Sequence, residues 1–220
     1  MDFESLVRTI AIYALPVLFA ITLHEAAHGY VARHFGDMTA FAQGRISLNP
    51  ARHIDLVGTI LVPIAILVAS KLAGTGGFLF GWAKPVPVNY SALRRPREHM
   101  LWVAAAGPAS NLVMALGWLL LLKVALLMPE SSLSTPLREM SGAGISVNLI
   151  FLFLNLLPIL PLDGGRIVAS LLPHRLAWQY SKLEPFGIML LLVLLFTKVL
   201  DGVLGPLVRA SDGLLRGLVT

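Results

Sequence analysis

Several stretches of this chain stay apolar for longer than a water-soluble fold can bury. Hydrophobic side chains make up 56% of its 220 residues and charged side chains only 13%, whereas soluble domains contain roughly 45–50% apolar residues. About 20 apolar residues in a helix span the hydrocarbon layer of a bilayer. Apolar runs lie at 5–35, 56–72, 98–128, from about 145 onward and at 186–199. The sequence therefore predicts an all-α polytopic membrane protein with about five transmembrane helices.

Glycine and proline break this pattern between the second and third predicted helices. The stretch GTGGFLFGWAKPVPVNY holds them too densely for a regular helix, so residues 73–97 should form an irregular or re-entrant segment. Serine and proline after residue 128 predict a polar loop, with the fourth helix starting at about Ile145. Residues 201–220 predict an amphipathic segment along the membrane surface. The acidic start MDFESLVR does not resemble a removable signal peptide, so we expect the mature protein to keep the first helix.

The formal net charge is +5, and lysine and arginine cluster beside the ends of the predicted helices. Such clusters mark the cytoplasmic loops of membrane proteins. No basic run is interleaved with aromatic residues and no glycine loop fits a phosphate, so we expect neither a nucleic-acid nor a nucleotide partner. The chain has no cysteine, so any bound metal needs His, Asp or Glu ligands.

The sequence His24-Glu25-Ala26-Ala27-His28 lies near the end of the first predicted helix. Histidines four positions apart share one helical face, where both imidazoles can reach a single tetrahedral ion. Glu25 lies beside that face and can take a proton from a water that the ion activates. A chance polar patch at a helix end would give the same pattern. Ionisable residues inside an apolar span are costly, however, and so favour a functional site.

Asp163 is the best remaining candidate for a third metal ligand. It follows Pro158 and Pro161 in an apolar region and precedes two glycines, so the fourth helix should be broken before it. A catalytic zinc site needs three protein ligands and an open position. The alternative is a simple turn, in which Asp163 caps a helix and pairs with Arg166. The residues by themselves favour neither interpretation.

Two separated motifs give the chain its resemblance to a known family. HEAAHGYVARHFGD and the distant NLLPILPLDGGR resemble the paired motifs of the site-2 protease family of intramembrane zinc metallopeptidases. Between them, GWAKPVPVN and AAAGPASN resemble the middle of its compact bacterial and archaeal members without a PDZ domain. The resemblance runs in the right order from about Ile21 to Arg166.

This resemblance implies that His24, His28 and Asp163 are the ligands of one zinc ion. It implies that Glu25 is the catalytic acid and base. The expected activity is that of a zinc metalloendopeptidase, which hydrolyses peptide bonds in or near transmembrane segments of membrane proteins. The alternative is a membrane metal-ion transporter or metal-handling protein that uses the same His and Asp cluster along an ion path.

Three further polar residues are candidates for the site. The resemblance implies that Asn111 and Asn155 steady the substrate strand or the oxyanion. Alternatively, either amide makes a hydrogen bond between helices. His53 could be a donor behind the metal ligands or a proton carrier, or a histidine at the membrane interface.

We expect one membrane-embedded metallopeptidase domain over residues 1–220. Its parts are the motif helix at 5–35, the irregular segment at 73–97, a second metal-binding segment at 145–172, and a C-terminal helix and tail at 186–220. The expected location is a prokaryotic cell membrane, crossed several times, with a transmembrane protein as substrate and the lipid bilayer as the other partner. Basic residues follow the motif helix, which predicts an active site near the cytoplasmic side. The sequence does not predict the oligomeric state.

Overall fold

The computed structural model describes residues 3–62, 65 and 83–219, and the described residues form helices and connecting segments without a strand. The α-helices are α1 (Phe3–His34), α2 (Thr39–Ala42), α3 (Pro96–Leu127), α4 (Ser134–Asn155), α5 (Asp163–Leu171), α6 (His174–Ser181), α7 (Glu184–Phe196) and α8 (Val199–Arg216). Short 3₁₀ turns lie at Pro50–Arg52 and Tyr90–Ala92, and a π-helical turn lies at Leu56–Leu61. The predicted helical class is confirmed for this part of the chain.

Three of these helices are long and apolar enough to cross a membrane: Val7–His34 within α1, Pro96–Leu127 and Ser134–Asn155. Helices α6 and α7 qualify as a fourth span only when taken together, and they meet at an angle of 62°. The protein is therefore a membrane protein. Most of the predicted second helix at 56–72, and residues 73–82 of the predicted irregular segment, lie outside the described residues. The expected count of about five spans stays a prediction.

The fourth helix begins at Ser134 and not at about Ile145, so the predicted loop up to residue 144 is wrong. Pro136 lies in the first turn of α4, where its missing N–H leaves no helical hydrogen bond unmade. Ser131 and Ser134 close this end, because each hydroxyl accepts a hydrogen bond from the other residue's backbone N–H. Serine and proline therefore start a helix here, although they indicated a loop in the sequence.

The largest apolar contact joins α3 to α4. Its buried members are Ala115, Trp118, Leu119, Leu122, Ile145, Leu149 and Leu152. Gly144 makes this contact close, because a Cβ at that position would lie within the indole ring of Trp118. Small residues that let backbones approach are typical of helix packing in membranes, where burial from water does not drive association.

Helix α1 ends in a Schellman motif, in which Gly36 has a φ of +107°. The Asp37 N–H donates to Ala32 O and the Gly36 N–H donates to Arg33 O. The guanidinium of Arg94 then bonds the carbonyls of the last turn, at His34 and Phe35. The C-terminal end of α1 and the N-terminal end of α3 are thus held together.

A second arginine attaches α5 to the start of α3. Arg97 donates to Ser170 O at 2.7 Å and to Leu171 O at 3.1 Å, and it also bonds Leu172 O. These are the carbonyls that a helix C-terminus leaves without helical partners. Because α5 spans Asp163–Leu171, this contact fixes the helix whose first residue is Asp163.

The C-terminal tail forms α8 and packs against α4. Val208 and Leu215 of α8 lie against the α3–α4 core, and Arg216 donates to Gly142 O at 3.3 Å. The predicted segment is thus a helix with one face on the bundle. Its position relative to the membrane surface stays a prediction.

We expect Arg97→Ala to lower the stability of the folded protein in detergent by about 1 kcal/mol, the scale of one or two charge-assisted hydrogen bonds at an exposed site. Arg95→Ala is the matched control, because within the described part of the chain that side chain makes a single exposed i,i+3 pair, with Glu98. Thermal unfolding of both variants measures the difference. Equal midpoints for the two variants would contradict this role of Arg97.

Candidate metal centre

Helix α1 brings His24 and His28 together on its buried face. Their Nε2 atoms lie 3.1 Å apart, and the ring planes are nearly perpendicular, with centroids separated by 4.7 Å. Both side chains are almost fully buried. The i,i+4 spacing therefore aims two imidazole nitrogens at one point inside the protein, as the sequence predicted.

Asp163 approaches the same point from the first turn of α5. Its Oδ2 lies 3.2 Å from His24 Nε2 and 3.3 Å from His28 Nε2. The carboxylate is buried, and Oδ2 has no hydrogen-bond partner among the described residues. Arg166 was the partner of Asp163 in the alternative turn interpretation. Its Nη2 instead lies 3.8 Å from Glu184 Oε1.

The three ligand atoms fit a single zinc ion. Tetrahedral ligands at 2.0–2.2 Å from zinc lie about 3.3 Å from one another, and the separations of 3.1, 3.2 and 3.3 Å agree with that value. Within the described chain, these residues are the one group of His, Cys, Asp and Glu that can hold a metal. Such a set suits a catalytic site, since a fourth position remains for water or substrate.

The other nitrogen of each imidazole faces an oxygen that accepts a hydrogen bond. His24 Nδ1 lies 2.6 Å from Asn111 Oδ1, and His28 Nδ1 lies 2.7 Å from Val103 O. Each Nδ1 therefore carries the proton, which leaves the Nε2 lone pairs directed at each other and at Asp163. Three lone-pair-bearing atoms this close repel one another unless a cation lies between them.

Gly107 of α3 allows the two imidazoles to lie against that helix. A Cβ at position 107 would lie 2.6 Å from His24 Nε2 and would also overlap the ring of His28. No other residue type fits without displacing a ligand. The Gly-Pro pair in AAAGPASN is the sequence signal for this contact, although the sequence did not reveal its reason.

Two glycines after Asp163 let α5 begin directly on the loop that follows α4. A Cβ on Gly164 would overlap the carbonyl oxygens of Leu156 and Leu157, and one on Gly165 would lie 2.5 Å from Leu160 N. The first turn of α5 therefore touches backbone on two sides. This contact fixes the position of Asp163 relative to the two imidazoles.

Glu25 faces a cavity of about 590 Å³ that also contains the three ligands. Its Oε2 accepts a hydrogen bond of 2.7 Å from the Val86 N–H. The remaining wall is mostly apolar, from Met100, Val103, Ala104, Phe151, Leu154, Ile188 and Leu191. The carboxylate is thus oriented by the segment that precedes α3, and it shares one space with the metal ligands.

The other candidate residues take different places. Asn155 lines the cavity and donates to Phe151 O, whereas Asn111 is fully buried behind His24 and is not part of the cavity wall. His53 is also buried outside the wall. Its Nε2 lies 2.8 Å from Ser47 O, and its carbonyl accepts from Lys84 N. His53 therefore supports the segment beside the cavity.

Replacing Gly107 by alanine should weaken zinc binding by at least about tenfold, the scale of lesions next to a metal ligand. The cause is the overlap of the new Cβ with both imidazoles. Gly117→Ala in the same helix is the matched control, since a Cβ there meets nothing within 4 Å. Zinc affinity by competition with a chelator measures both. Equal affinities would show that the Gly107 contact is not needed.

Comparison with curated proteins finds relatives whose names all begin "Putative zinc metalloprotease". YwhC of Bacillus subtilis (strain 168) is 39% identical over 206 residues, which cover 92% of this chain and 88% of the relative. Rip2 of Mycobacterium tuberculosis (strain ATCC 25618 / H37Rv) is 32% identical and Rip2 of Mycolicibacterium smegmatis (strain ATCC 700084 / mc(2)155) is 28% identical. Each match covers 84% of this chain and 66% of the mycobacterial protein.

No family model matches the chain, and no solved structure matches it significantly. The identity to YwhC is nevertheless high and extends over nearly the whole of both proteins. Both motifs lie in a chain whose folded form brings two histidines and an aspartate to one point. The chain therefore belongs to the site-2 protease family of zinc metalloproteases.

Proposed function

We propose that this metalloprotease hydrolyses peptide bonds in or next to transmembrane segments of membrane proteins, with Glu25 as general base and acid. One observation carries the proposal: Glu25 and the three candidate zinc ligands line a single, largely apolar cavity between helices that are apolar enough to cross a membrane. Ionisable residues inside a bundle of membrane-spanning helices mark functional sites.

Zinc, when bound, supplies a Lewis acid that polarises the scissile carbonyl and makes water a stronger acid. His24, His28 and Asp163 would hold the ion, and the protonated Nδ1 atoms keep both imidazoles in the ligating tautomer. Glu25 takes a proton from the attacking water and delivers it to the leaving nitrogen. The Val86 N–H binds Oε2 of Glu25, which directs the carboxylate without blocking its other oxygen.

The substrate must unwind before hydrolysis, because a helix uses its own amide groups in hydrogen bonds. We propose that the segment 83–89 receives the unwound strand along its edge. Its N–H groups at Lys84, Val86 and Asn89 already have partners in the protein. Val88 lines the cavity, and its N–H has no partner within the described residues. We propose that this amide donates a hydrogen bond to a substrate carbonyl.

Asn155 is the proposed polar contact to the substrate or oxyanion. It lines the cavity wall, and one N–H of its amide is used by Phe151 O at 3.0 Å. The amide carries a second N–H, from which a substrate oxygen can accept a hydrogen bond. Asn111 is not proposed for this role, because its side chain is enclosed behind His24.

We place the cavity near the cytoplasmic side of a prokaryotic cell membrane. Contacts of Arg94 and Arg97 hold the end of α1, the start of α3 and the end of α5 together at one end of the bundle. Further basic residues lie in the segments around that end: Arg33, Arg45, Arg52, Lys84, Arg95, Arg166, Arg175 and Lys182. Such an excess marks cytoplasmic segments.

Glu25→Gln should retain zinc but lower the hydrolysis rate by about 10²–10⁴-fold, because the amide can accept from Val86 yet cannot carry the proton. Asp163→Ala should lose zinc as well. Cleavage of a transmembrane reporter and zinc content are measured on the same purified samples, with the exposed Glu98→Gln as control. Near-normal cleavage by Glu25→Gln would refute the assigned mechanism.

The chain has no cysteine, which permits a direct test of orientation. Arg95→Cys and Ser132→Cys place single thiols at exposed positions just outside opposite ends of α3. An impermeant thiol reagent on intact bacteria should label the thiol at 132, and label the thiol at 95 only after the cells are opened. The reverse pattern would place the cavity at the outer side.

A further inference from the structure

We propose that Asn148 of α4 is a positioning residue for the zinc site: acting through Asn111, it determines which nitrogen of His24 carries the proton. The inference rests on the zinc site that the proposed function uses. It concerns a residue whose side chain hydrogen-bonds Asn111 and Gly144 and is not part of the cavity wall. A chain of three hydrogen bonds, each with a defined direction, connects it to the ligand.

The direction of this chain begins at the Gly144 carbonyl, one turn before Asn148 in α4. A carbonyl oxygen can only accept, so the group 2.9 Å away must be the Nδ2 amide of Asn148. The Oδ1 of Asn148 consequently points across to α3. There it lies 3.0 Å from Asn111 Nδ2, to which it can only be an acceptor.

Asn111 passes this direction on to His24. With its Nδ2 donating to Asn148, and more distantly to Ala20 O at 3.4 Å, its Oδ1 must face the imidazole. That oxygen lies 2.6 Å from His24 Nδ1 and can only accept a proton from it. His24 Nδ1 is therefore the protonated nitrogen, and Nε2 keeps its lone pair for the ion.

A reversed Asn111 amide would disable the ligand. Its NH₂ would then face His24 Nδ1, which would have to accept, and the proton would move to Nε2 and point at the metal position. The amide carbonyl and amine have nearly the same shape, so packing does not prevent reversal. Hydrogen bonding alone opposes it, and the Asn148 oxygen is the nearer of the two acceptors that do so.

The two histidines differ in this respect. His28 Nδ1 faces the carbonyl of Val103, which is fixed in the backbone of α3 and cannot reverse. His24 faces a side-chain amide that can. Asn111 and Asn148 are both fully buried, so solvent cannot replace a lost partner. Because the acceptor for His24 is a side-chain amide, a second amide, that of Asn148, is needed to hold it in the correct orientation.

The test is the zinc affinity of Asn148→Ala, measured in detergent by competition with a chelator and without any substrate. We expect the dissociation constant for zinc to rise by about tenfold, the lower end of the range for residues that support a metal ligand. Ser141→Ala is the matched control. It also removes a hydrogen bond of α4, from the hydroxyl of the fully buried Ser141 to Leu137 O, but has no connection to His24.

A double-mutant cycle separates positioning from general destabilisation. Asn111→Ala should weaken zinc binding by itself, and adding Asn148→Ala to that variant should change the affinity no further, because the relay is already broken. If Asn148→Ala does not fold, as judged by its helix content, Asn148→Leu fills the space and takes its place. Unchanged affinity in the folded Asn148 variant, or additive losses in the cycle, would overturn the proposal.

Because these measurements use zinc alone, they are independent of whether the protein cleaves transmembrane segments. If the Asn148 variant loses zinc affinity while the zinc-loaded wild-type protein shows no detectable proteolysis, the relay is supported and the proposed function is contradicted. If the Asn148 variant keeps its zinc affinity while the wild-type protein cleaves the reporter, the relay is contradicted and the proposed function is supported.

Discussion

Three ligand atoms with lone pairs converge within 3.3 Å in the interior of an apolar bundle, and this convergence constrains the rest of the structure. Burial weakens the screening of their repulsion by water, so a bound cation stabilises the arrangement by interacting with all three. Two of the atoms share α1, but the third belongs to α5. The bundle must therefore hold two separate helices in register to within a fraction of an ångström.

Close contacts with the backbone set most of the relative position of α1 and α5. Gly107 lets α3 touch the imidazoles, Gly164 and Gly165 let α5 start against the preceding loop, and Gly144 lets α4 approach α3. Arg97 joins the far end of α5 to the start of α3. Glycine at a helix contact leaves little freedom for sliding, because a rigid main chain and not a flexible side chain sets the distance.

The sequence indicated the residues of the candidate metal site better than the structure that positions them. The i,i+4 histidines and Asp163 could be proposed as ligands because their chemistry is local or carried by a family motif, and the fold brings them together. The start of α4 could not be predicted, because Pro136 indicates a break in the interior of a helix but is compatible with its first turn. For Asn111 the resemblance implied a role at the substrate or oxyanion, with a hydrogen bond between helices as the alternative. The structure shows such a hydrogen bond to Asn148, which lies 37 positions away, so no local pattern connects the two amides.

The segment before α3 links the proposed substrate site to the general base. Pro85 and Pro87 have no N–H, so Val86 supplies the one donor between them, and Glu25 accepts it. Arg45 fixes the same segment through the carbonyls of Lys84 and Pro85. The orientation of Glu25 thus depends on the wall of the cavity as well as on its own helix. In the proposed mechanism, a substrate strand that pairs with Val88 would bind two residues from the donor that holds the base, so substrate binding and proton transfer would share one rigid element.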